Sequence, residues 1–470
     1  VTDTRDRLAE KYAIAARRTL TDDGNAYRLV DEHGADLRSV PGAGWHAYEG
    51  GRWLHDQSGE PMRRARQLAE RLRDEADLRL GEHGADDPLG KAMLQHAKAS
   101  ASRRGLEAML AIARSDRRVI VDVAELDADP LLLNAPNGTI DLETGRLRGH
   151  ERGDLITHRV AVDYDRRATA PTWRAFLERV LPEHELRDYA HRMAGAAAIG
   201  DNRDELLHVL QGGGANGKSK FGETIRAALG SYAAVAPPEV FLERRAGGPQ
   251  PELVRLRGAR LLTASETEQG ARLSVALVKA LTGGDTIAAR LLHSNEIVEY
   301  TPRFSPWLRT NHRPAIRETS EAVWRRVRLV PFSVTIPADE RDPTLQGRLL
   351  AELGGVLAWI VAGACLYLEH GLDPPDQVVA ATTAYREDED VLRAFVDDRC
   401  LVGPDLTAPA GELYTAAQEW AKQHGEKFGT STAFGRALGE AGFPPGRDAR
   451  GRRVRVGLAL RGPLDDEAAR

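Results

Sequence analysis

The chain is short of cysteine and of lysine, and each shortage excludes something. Two cysteines, Cys365 and Cys400, in 470 residues exclude a disulfide-stapled scaffold. Neither Cys-x-x-Cys nor His-Glu-x-x-His spacing occurs, which removes the commonest zinc sites. No apolar run reaches the ~20 residues that span a bilayer. The longest, Gly354 to Leu368, is bracketed by Glu352 and Glu369 and reads as a buried helix. The opening VTDTRDRLAEKY is charged and lacks a secretory core, so the expectation is a cytosolic protein with no membrane partner. Positive charge is not in excess either: 65 Lys and Arg face 70 Asp and Glu, a formal charge of −5. Any nucleic-acid contact must therefore be local. Only eight of the 65 are lysine (Lys11, Lys91, Lys98, Lys218, Lys220, Lys279, Lys422 and Lys427). Arginine fills most cationic positions, so a lysine deserves a look wherever a compact ammonium is needed.

What is present is ordinary: 42% hydrophobic and 29% charged residues, apolar material for about three domains at the usual size. Gly24 to Asp56 alternates turn residues with short apolar pieces and predicts a small β-meander. Trp45 and Trp53 within it suit either base stacking or a small core. Arg63 to Leu80 and Lys91 to Ser115 carry helical periodicity. Val119 to Asp165 reads as β structure, with Asn137-Gly138 and Thr144-Gly145 as hairpin punctuation. Helices follow from Pro171 to Ile199 and again from Phe332 to about Val396.

The sharpest signal is LLHVLQGGGANGKSKFGETIRAAL, Leu206 to Leu229. An apolar strand runs into Gly212-Gly213-Gly214-Ala215-Asn216-Gly217-Lys218-Ser219, and a helix follows. This is G-x-x-x-x-G-K-[ST] in strand–loop–helix context. Glycines let successive backbone N–H groups turn inward around an anion, and the helix N-terminus adds its dipole. Lys218 supplies a point charge for β- and γ-phosphate oxygens, and Ser219 a hydroxyl for Mg²⁺, with Lys220 beside them. A second strand, Arg260 to Ser265, ends at Glu266-Thr267-Glu268, where Glu266, with Glu268 in reserve, suits Mg²⁺ and the attacking water. A third strand, Ser305 to Thr310, ends in Asn311, an amide able to sense a γ-phosphate. Trp324-Arg325-Arg326 precedes a further strand, Val327 to Phe332. Either arginine could serve as a finger for a neighbouring subunit's site, or as a surface ion-pair donor.

GGGANGKS, ASETEQGARLSVALVKALTGGDTIAAR, RTNHRP and WRRVRLVPF together resemble the superfamily III helicases, a branch of AAA+ ATPases. Within them the chain is similar to the phage and plasmid primase-helicases with a poxvirus-type N-terminal region. The resemblance covers about residues 119 to 400, including LNAPNGTIDLETGRLRGH upstream and LGGVLAWIVAGACLYLEHGLDPP downstream. It implies ATP hydrolysis with Mg²⁺ at subunit interfaces of a ring, usually a homo-hexamer, that moves along one DNA strand. It makes the loop Walker A, the acidic strand end Walker B, Asn311 the polar sensor and one of Arg325 and Arg326 the trans finger. It also implies a channel hairpin from Thr286 to Arg303, with Arg290 and His293 as candidate DNA contacts, and gives Lys279 a role in DNA or interface contact.

From Gly411 to Leu460 the order helix, turn, helix, hairpin suggests a winged helix. Arg447, Arg450, Arg452, Arg453 and Arg455 against Asp448 form its basic hairpin, suited to phosphates or to a solvated surface. The expected architecture is α/β, in five units. Residues 1–118 form an α+β accessory unit and 119–190 a β-rich then helical collar. Residues 191–335 form an AAA+ P-loop core with a parallel sheet, 336–400 a helical segment, and 401–470 a winged-helix-like DNA-binding unit. The first 118 residues are too few for a primase-polymerase domain, so primer synthesis by this chain is not expected, and the partner would be a separate primase or replication protein, or none. The function expected is an ATP-dependent DNA helicase of a phage, plasmid or integrated element. The alternative is an ATP-dependent initiator or loader.

Overall fold

The computed structural model describes residues 19–243, 253, 256–265, 272–290, 297–316, 321–389 and 391–461. The chain enters through helix α1 (Asp22–His33). Thr21 caps it by accepting from the Gly24 N–H at 3.1 Å, and Asp22 and Asp23 fill the first turn, where the helix dipole favours negative charge. The turn-like composition predicts a meander from Gly24; the structure corrects this. Gly24 is a close approach, not a turn: a Cβ there would lie 2.0 Å from the Thr19 carbonyl oxygen. The meander occupies only β1 (Leu37–Val40), β2 (Gly44–Glu49) and β3 (Arg52–His55). Helices α2 (Glu60–His83), α3 (Pro88–Ser100) and α4 (Arg103–Ala113) complete a core around Leu29, Trp45, Leu68 and Met109. Trp45 and Trp53 are both buried, and the Trp53 indole donates to the Arg152 carbonyl at 2.9 Å. They fill the interior and offer no stacking face.

Val119 to Leu126 is not a strand. Apart from one bridge between Ser39 and Ile120, it turns through a capping box made by Asp122 and Glu125. Strands β4 (Leu132–Ala135), β5 (Gly138–Asp141) and β6 (Arg146–Arg148) form a second antiparallel sheet. Helices α5 (Pro171–Val180) and α6 (His184–Ala198) lead to the central element.

That element is a five-stranded parallel sheet. Its strands in chain order are β7 (Leu207–Gln211), β8 (Ala233–Val235), β9 (Leu261–Ser265), β12 (Ser305–Thr310) and β13 (Val327–Pro331). In space the order is β13-β7-β12-β9-β8. Between these strands lie α7 (Lys218–Leu229), α8 (Val275–Thr282), the antiparallel pair β10 (Ile287–Arg290) and β11 (Ile297–Tyr300), and the short α9 (Glu321–Trp324). Both faces of the sheet are covered, so its strands read as apolar runs. Leu210, Trp307 and Val330 face one core, while Val209, Leu308 and Leu329 face the other.

Beyond the sheet come α10 (Leu345–Ala351), α11 (Leu353–His370) and α12 (Asp376–Asp388). Helix α11 is the one described helix long and apolar enough to cross a membrane, and half of its apolar window is buried inside the fold. It crosses α6 backbone to backbone. A Cβ on Gly195 would lie 2.1 Å from the Ala364 nitrogen, and one on Gly363 2.3 Å from the His191 carbonyl oxygen. Glycine on both helices is what permits this approach. The last unit consists of α13 (Val391–Arg399), β14 (Cys400–Pro409), α14 (Ala410–Gln423), α15 (Ser431–Glu440), β15 (Pro445–Arg447) and β16 (Arg453–Leu460). Strand β14, absent from the helix–helix–hairpin pattern, pairs with β16, so the hairpin is one side of a three-stranded sheet.

Arginine fastens the 123–132 segment to the sheet. Arg260 is buried, and its guanidinium donates to the carbonyls of Ala198 at 2.8 Å, Leu132 at 2.6 Å and Pro130 at 3.1 Å, with Tyr232 under its face at 4.5 Å. Arg257 donates to the Val123 carbonyl at 3.1 Å and Arg303 to that of Ala128 at 3.3 Å. Carbonyl oxygens thus solvate a charge that burial would otherwise penalise.

A buried histidine makes the sheet acid-sensitive. His208, in β7, has Nε2 3.1 Å from the Tyr189 hydroxyl, and burial pushes its imidazole from 6.5 down to about 3. It stays neutral in the fold but takes up a proton when the chain unfolds below pH 6.5. The unfolded state then binds more protons, so stability is full above pH 6.5 and falls as pH drops toward 3. At pH 5 this one residue accounts for about 2 kcal/mol. In urea titrations, His208→Gln should lessen the stability lost between pH 7 and pH 5 by about that amount. Equal losses in the two proteins would contradict the assignment.

Candidate phosphate-binding site

Strand β7 leaves its carboxyl end toward the β8 edge, and its neighbour β12 leaves toward β13 on the other side. Each connection therefore crosses over the other strand, and the crevice at the strands' carboxyl ends is the usual ligand position in open parallel sheets. The glycine-rich loop, residues 212–217, fills one wall of that crevice. Gly214 (φ +100°), Ala215 (φ +48°) and Gly217 (φ +83°) have left-handed backbones, the conformation from which concave backbone N–H surfaces are built. A Cβ on Gly213 or Gly214 would meet nothing within 4 Å, so this side of the loop is open. The other side is closed. Asn216 is buried and donates to the Phe332 carbonyl at 3.3 Å, and the Ile336 N–H donates to the Ala215 carbonyl at 2.8 Å. A Cβ on Gly212 would lie 1.9 Å from the Asn216 amide nitrogen.

Lys218 opens α7 and is 6% exposed. Its ammonium donates to the Gly212 carbonyl at 3.0 Å and to Asn311 Oδ1 at the end of β12, with Asn216 Oδ1 at 3.5 Å. One cation thus joins the loop to the neighbouring strand end across the crevice. Ser219 is exposed at the helix N-terminus and Lys220 is half-buried. The Ser219 carbonyl accepts from Arg309 at 3.2 Å, and Arg309 also faces Glu223 at 3.6 Å. After Asn311 the chain turns tightly, with the His312 N–H donating to Thr310 Oγ1 at 3.1 Å.

The two paired arginines have different surroundings. Arg326 is 11% exposed, donates to Glu205 at 2.6 Å and to the Ala322 carbonyl at 3.0 Å, and so is committed within the chain. Arg325 is 60% exposed, and its guanidinium is 3.8 Å from the same carboxylate. Lys279 is half-buried on α8. Glu266, Glu268 and His293 lie outside the described residues. Arg290 ends β10 opposite Ile297 of β11, and its side chain is likewise outside them.

The C-terminal arginines are not equivalent either. Arg455 donates to the Phe443 carbonyl at 3.1 Å and lies against Gly435 of α15, where a Cβ would come within 2.7 Å of its guanidinium. Arg452 pairs with Asp448 at 2.7 Å, and Arg447 donates to the Gly451 carbonyl at 3.1 Å. Arg450 and Arg453 are exposed at the hairpin. A cleft of about 650 Å³ lies elsewhere, between the meander, residues 256–260 and the foot of β11. Its arginines are those that fasten the 123–132 segment, so it is read as a seam between units.

Sequence reasoning missed Arg309, Glu205 and the role of Asn216 as organiser of the loop. Glu205 carries no motif, and Arg309 stands at the edge of RTNHRP, where only its contacts with Ser219 and Glu223 mark it. Asn216 stood inside the motif, but only its burial separates it from the open glycines.

Residues 26–182 match a family model described as D5 N terminal like. The chain is 31% identical over 265 residues to "Putative helicase 022R" of Frog virus 3, covering 52% of this chain and 27% of the relative. It is 29% identical over 326 residues to "Putative helicase L207/L206" of Acanthamoeba polyphaga mimivirus, covering 64% and 34%. "Putative primase C962R" of African swine fever virus is 23% identical over 328 residues, covering 63% and 34%. The chain is thus similar to proteins of large DNA viruses that are named putative helicases and primases. These likenesses are consistent with the superfamily III primase-helicases that its motifs resemble, and the chain spans about a third of the length of these viral relatives. The apo NrS-1 C-terminal region is a looser structural likeness, with TM-score 0.44 and 10% identity over 76% of this chain and 89% of that one.

The two sides of the loop give a prediction. Gly217→Ala forces a left-handed residue and brings its Cβ within 2.5 Å of Val180, and should cost about 1–3 kcal/mol. Gly213→Ala points into open space and should cost less than about 0.5 kcal/mol. Thermal melts of the two variants check this; equal losses would contradict the described loop.

Proposed function

We propose that the chain is the helicase part of a primase-helicase, hydrolysing ATP at the crevice between β7 and β12 and moving along single-stranded DNA as a homo-hexameric ring. The observation that carries this reading is the buried Lys218 ammonium shared between Gly212 and Asn311 at the carboxyl ends of β7 and β12. The loop N–H groups and the first turn of α7 would bind the triphosphate, with Lys218 on its terminal oxygens. Asn311, already bound to Lys218, would orient the γ-phosphate or the attacking water. The fit of Mg²⁺ rests on an oxygen donor set, the exposed Ser219 hydroxyl and Glu266; bound there, it would neutralise developing phosphate charge. Glu266 would also take the proton of the attacking water.

Burial favours Arg325 as the finger. Arg326 is held by Glu205, so Arg325 is the arginine available to a neighbouring subunit. Helices α14 and α15 with the three-stranded sheet support a winged-helix reading, with Arg450 and Arg453 as the phosphate contacts of the hairpin. That basic hairpin also favours a second reading, an ATP-dependent initiator or loader that binds DNA without unwinding it. A forked-duplex strand-displacement assay separates the two, since only the helicase releases the displaced strand.

Lys218→Ala should abolish ATP hydrolysis. Arg325→Ala should lower it roughly a thousandfold without changing the melting temperature, and mixing the two variants should restore turnover at hybrid interfaces. Arg326→Ala should instead melt earlier, having removed a nearly buried guanidinium with its bonds to Glu205 and the Ala322 carbonyl. Full activity in the Lys218→Ala protein would end the nucleotide reading.

A further inference from the structure

We propose that Tyr385 is a positioning residue for hydrolysis: it holds the chain that follows Asn311 and the helix that precedes Arg325 against one another. The inference rests on the nucleotide reading above and adds a residue distant in sequence from every nucleotide motif.

Helix α12 lies along β13, an edge strand of the sheet. The Thr382 hydroxyl accepts from the Leu329 N–H at 3.1 Å, giving that edge donor a partner. One helical turn on, Tyr385 is fully buried. Its hydroxyl donates to the Pro314 carbonyl, three residues after Asn311. The Trp324 ring meets it edge-on, with centroids 5.2 Å apart and planes at 90°, and Trp324 immediately precedes Arg325. The Arg313 guanidinium lies over the Tyr385 ring at 5.3 Å and pairs with Asp388 at 2.8 Å.

The same helix end holds both neighbours a second time. Glu389 accepts from the Ile316 N–H at 2.8 Å, and Arg386 pairs with Glu321 at 3.0 Å. Residues 313–316 and 321–324 are therefore tied to one short stretch, Tyr385 to Glu389. A sensor amide and a finger must each sit within a fraction of an ångström of the reacting phosphate. A shared anchor sets both positions at once. A buried phenol packed between a proline carbonyl and a tryptophan edge moves little, because any shift must break the hydrogen bond or the ring contact.

The test uses the full chain and two conservative variants. Tyr385→Phe keeps the ring against Trp324 and Arg313 and removes only the hydroxyl. Glu389→Gln removes the charge that receives the Ile316 N–H. The readouts are kcat and KM for ATP, the melting temperature, and hydrogen–deuterium exchange of peptides covering 311–316 and 321–326. Both variants should lower kcat roughly tenfold or more, leave KM within about twofold, and raise exchange in both peptides. An unchanged kcat, or a lower melting temperature with full kcat per folded molecule, would overturn the proposal and leave the ATPase reading standing. No ATP hydrolysis by the wild-type chain would overturn both.

Discussion

The Lys218 ammonium is a charge brought almost wholly out of water, and much of the central architecture serves to hold it there. Removing an ammonium from solvent is costly unless oxygen atoms replace its hydration. Here the loop supplies Gly212 and Asn216, and the neighbouring strand supplies Asn311. This demands that β7 and β12 lie side by side with their ends level, which the register pairing Gln211 with Thr310 provides. It also demands that the loop fold back on itself, which the left-handed backbones at 214, 215 and 217 allow. Asn216 anchors the fold-back to Phe332 at the end of β13. The site therefore spans three adjacent strands.

The rest of the protein keeps those strands fixed. Helices α6 and α11 pack on one face with glycine at their crossing, and Arg260 binds the sheet to the segment before β4 through backbone carbonyls. On the far edge, α12 covers β13 and reaches the turn beyond Asn311. These are distant parts of the sequence. Residues 129–132, 198 and 260 meet in one hydrogen-bonded cluster, and 313–316, 324 and 385–389 meet through hydrogen bonds and a ring contact.

The sequence discloses the parts whose physics is local. GGGANGKS between a strand and a helix announces its loop because glycine, lysine and serine each serve a separate requirement there, and the apolar strands stand out because both sheet faces are buried. Where a single residue type has two physical uses, pattern alone misleads. Gly24 marks a tight helix entry and not a turn, and Val119 to Leu126 has the composition of a strand but the caps of a helical turn. Strand β14 hides because its sequence, LVGPDLT, is broken by glycine and proline and its ladder slips between Val402 and Thr407. Pairs such as Arg326 with Glu205, or Tyr385 with Pro314, join residues 121 and 71 positions apart. Tertiary packing alone brings them together. That is why two adjacent arginines look alike in sequence and differ so sharply in the fold.

The central claim is that the Lys218–Asn311 crevice receives the triphosphate of ATP. Cryo-electron microscopy of the full chain with a non-hydrolysable ATP analogue, Mg²⁺ and forked DNA tests it most directly. The expected map has triphosphate density along residues 212–219, with the Lys218 ammonium moved from Asn311 onto a terminal phosphate oxygen. An empty loop at saturating analogue, with nucleotide bound elsewhere, would contradict it.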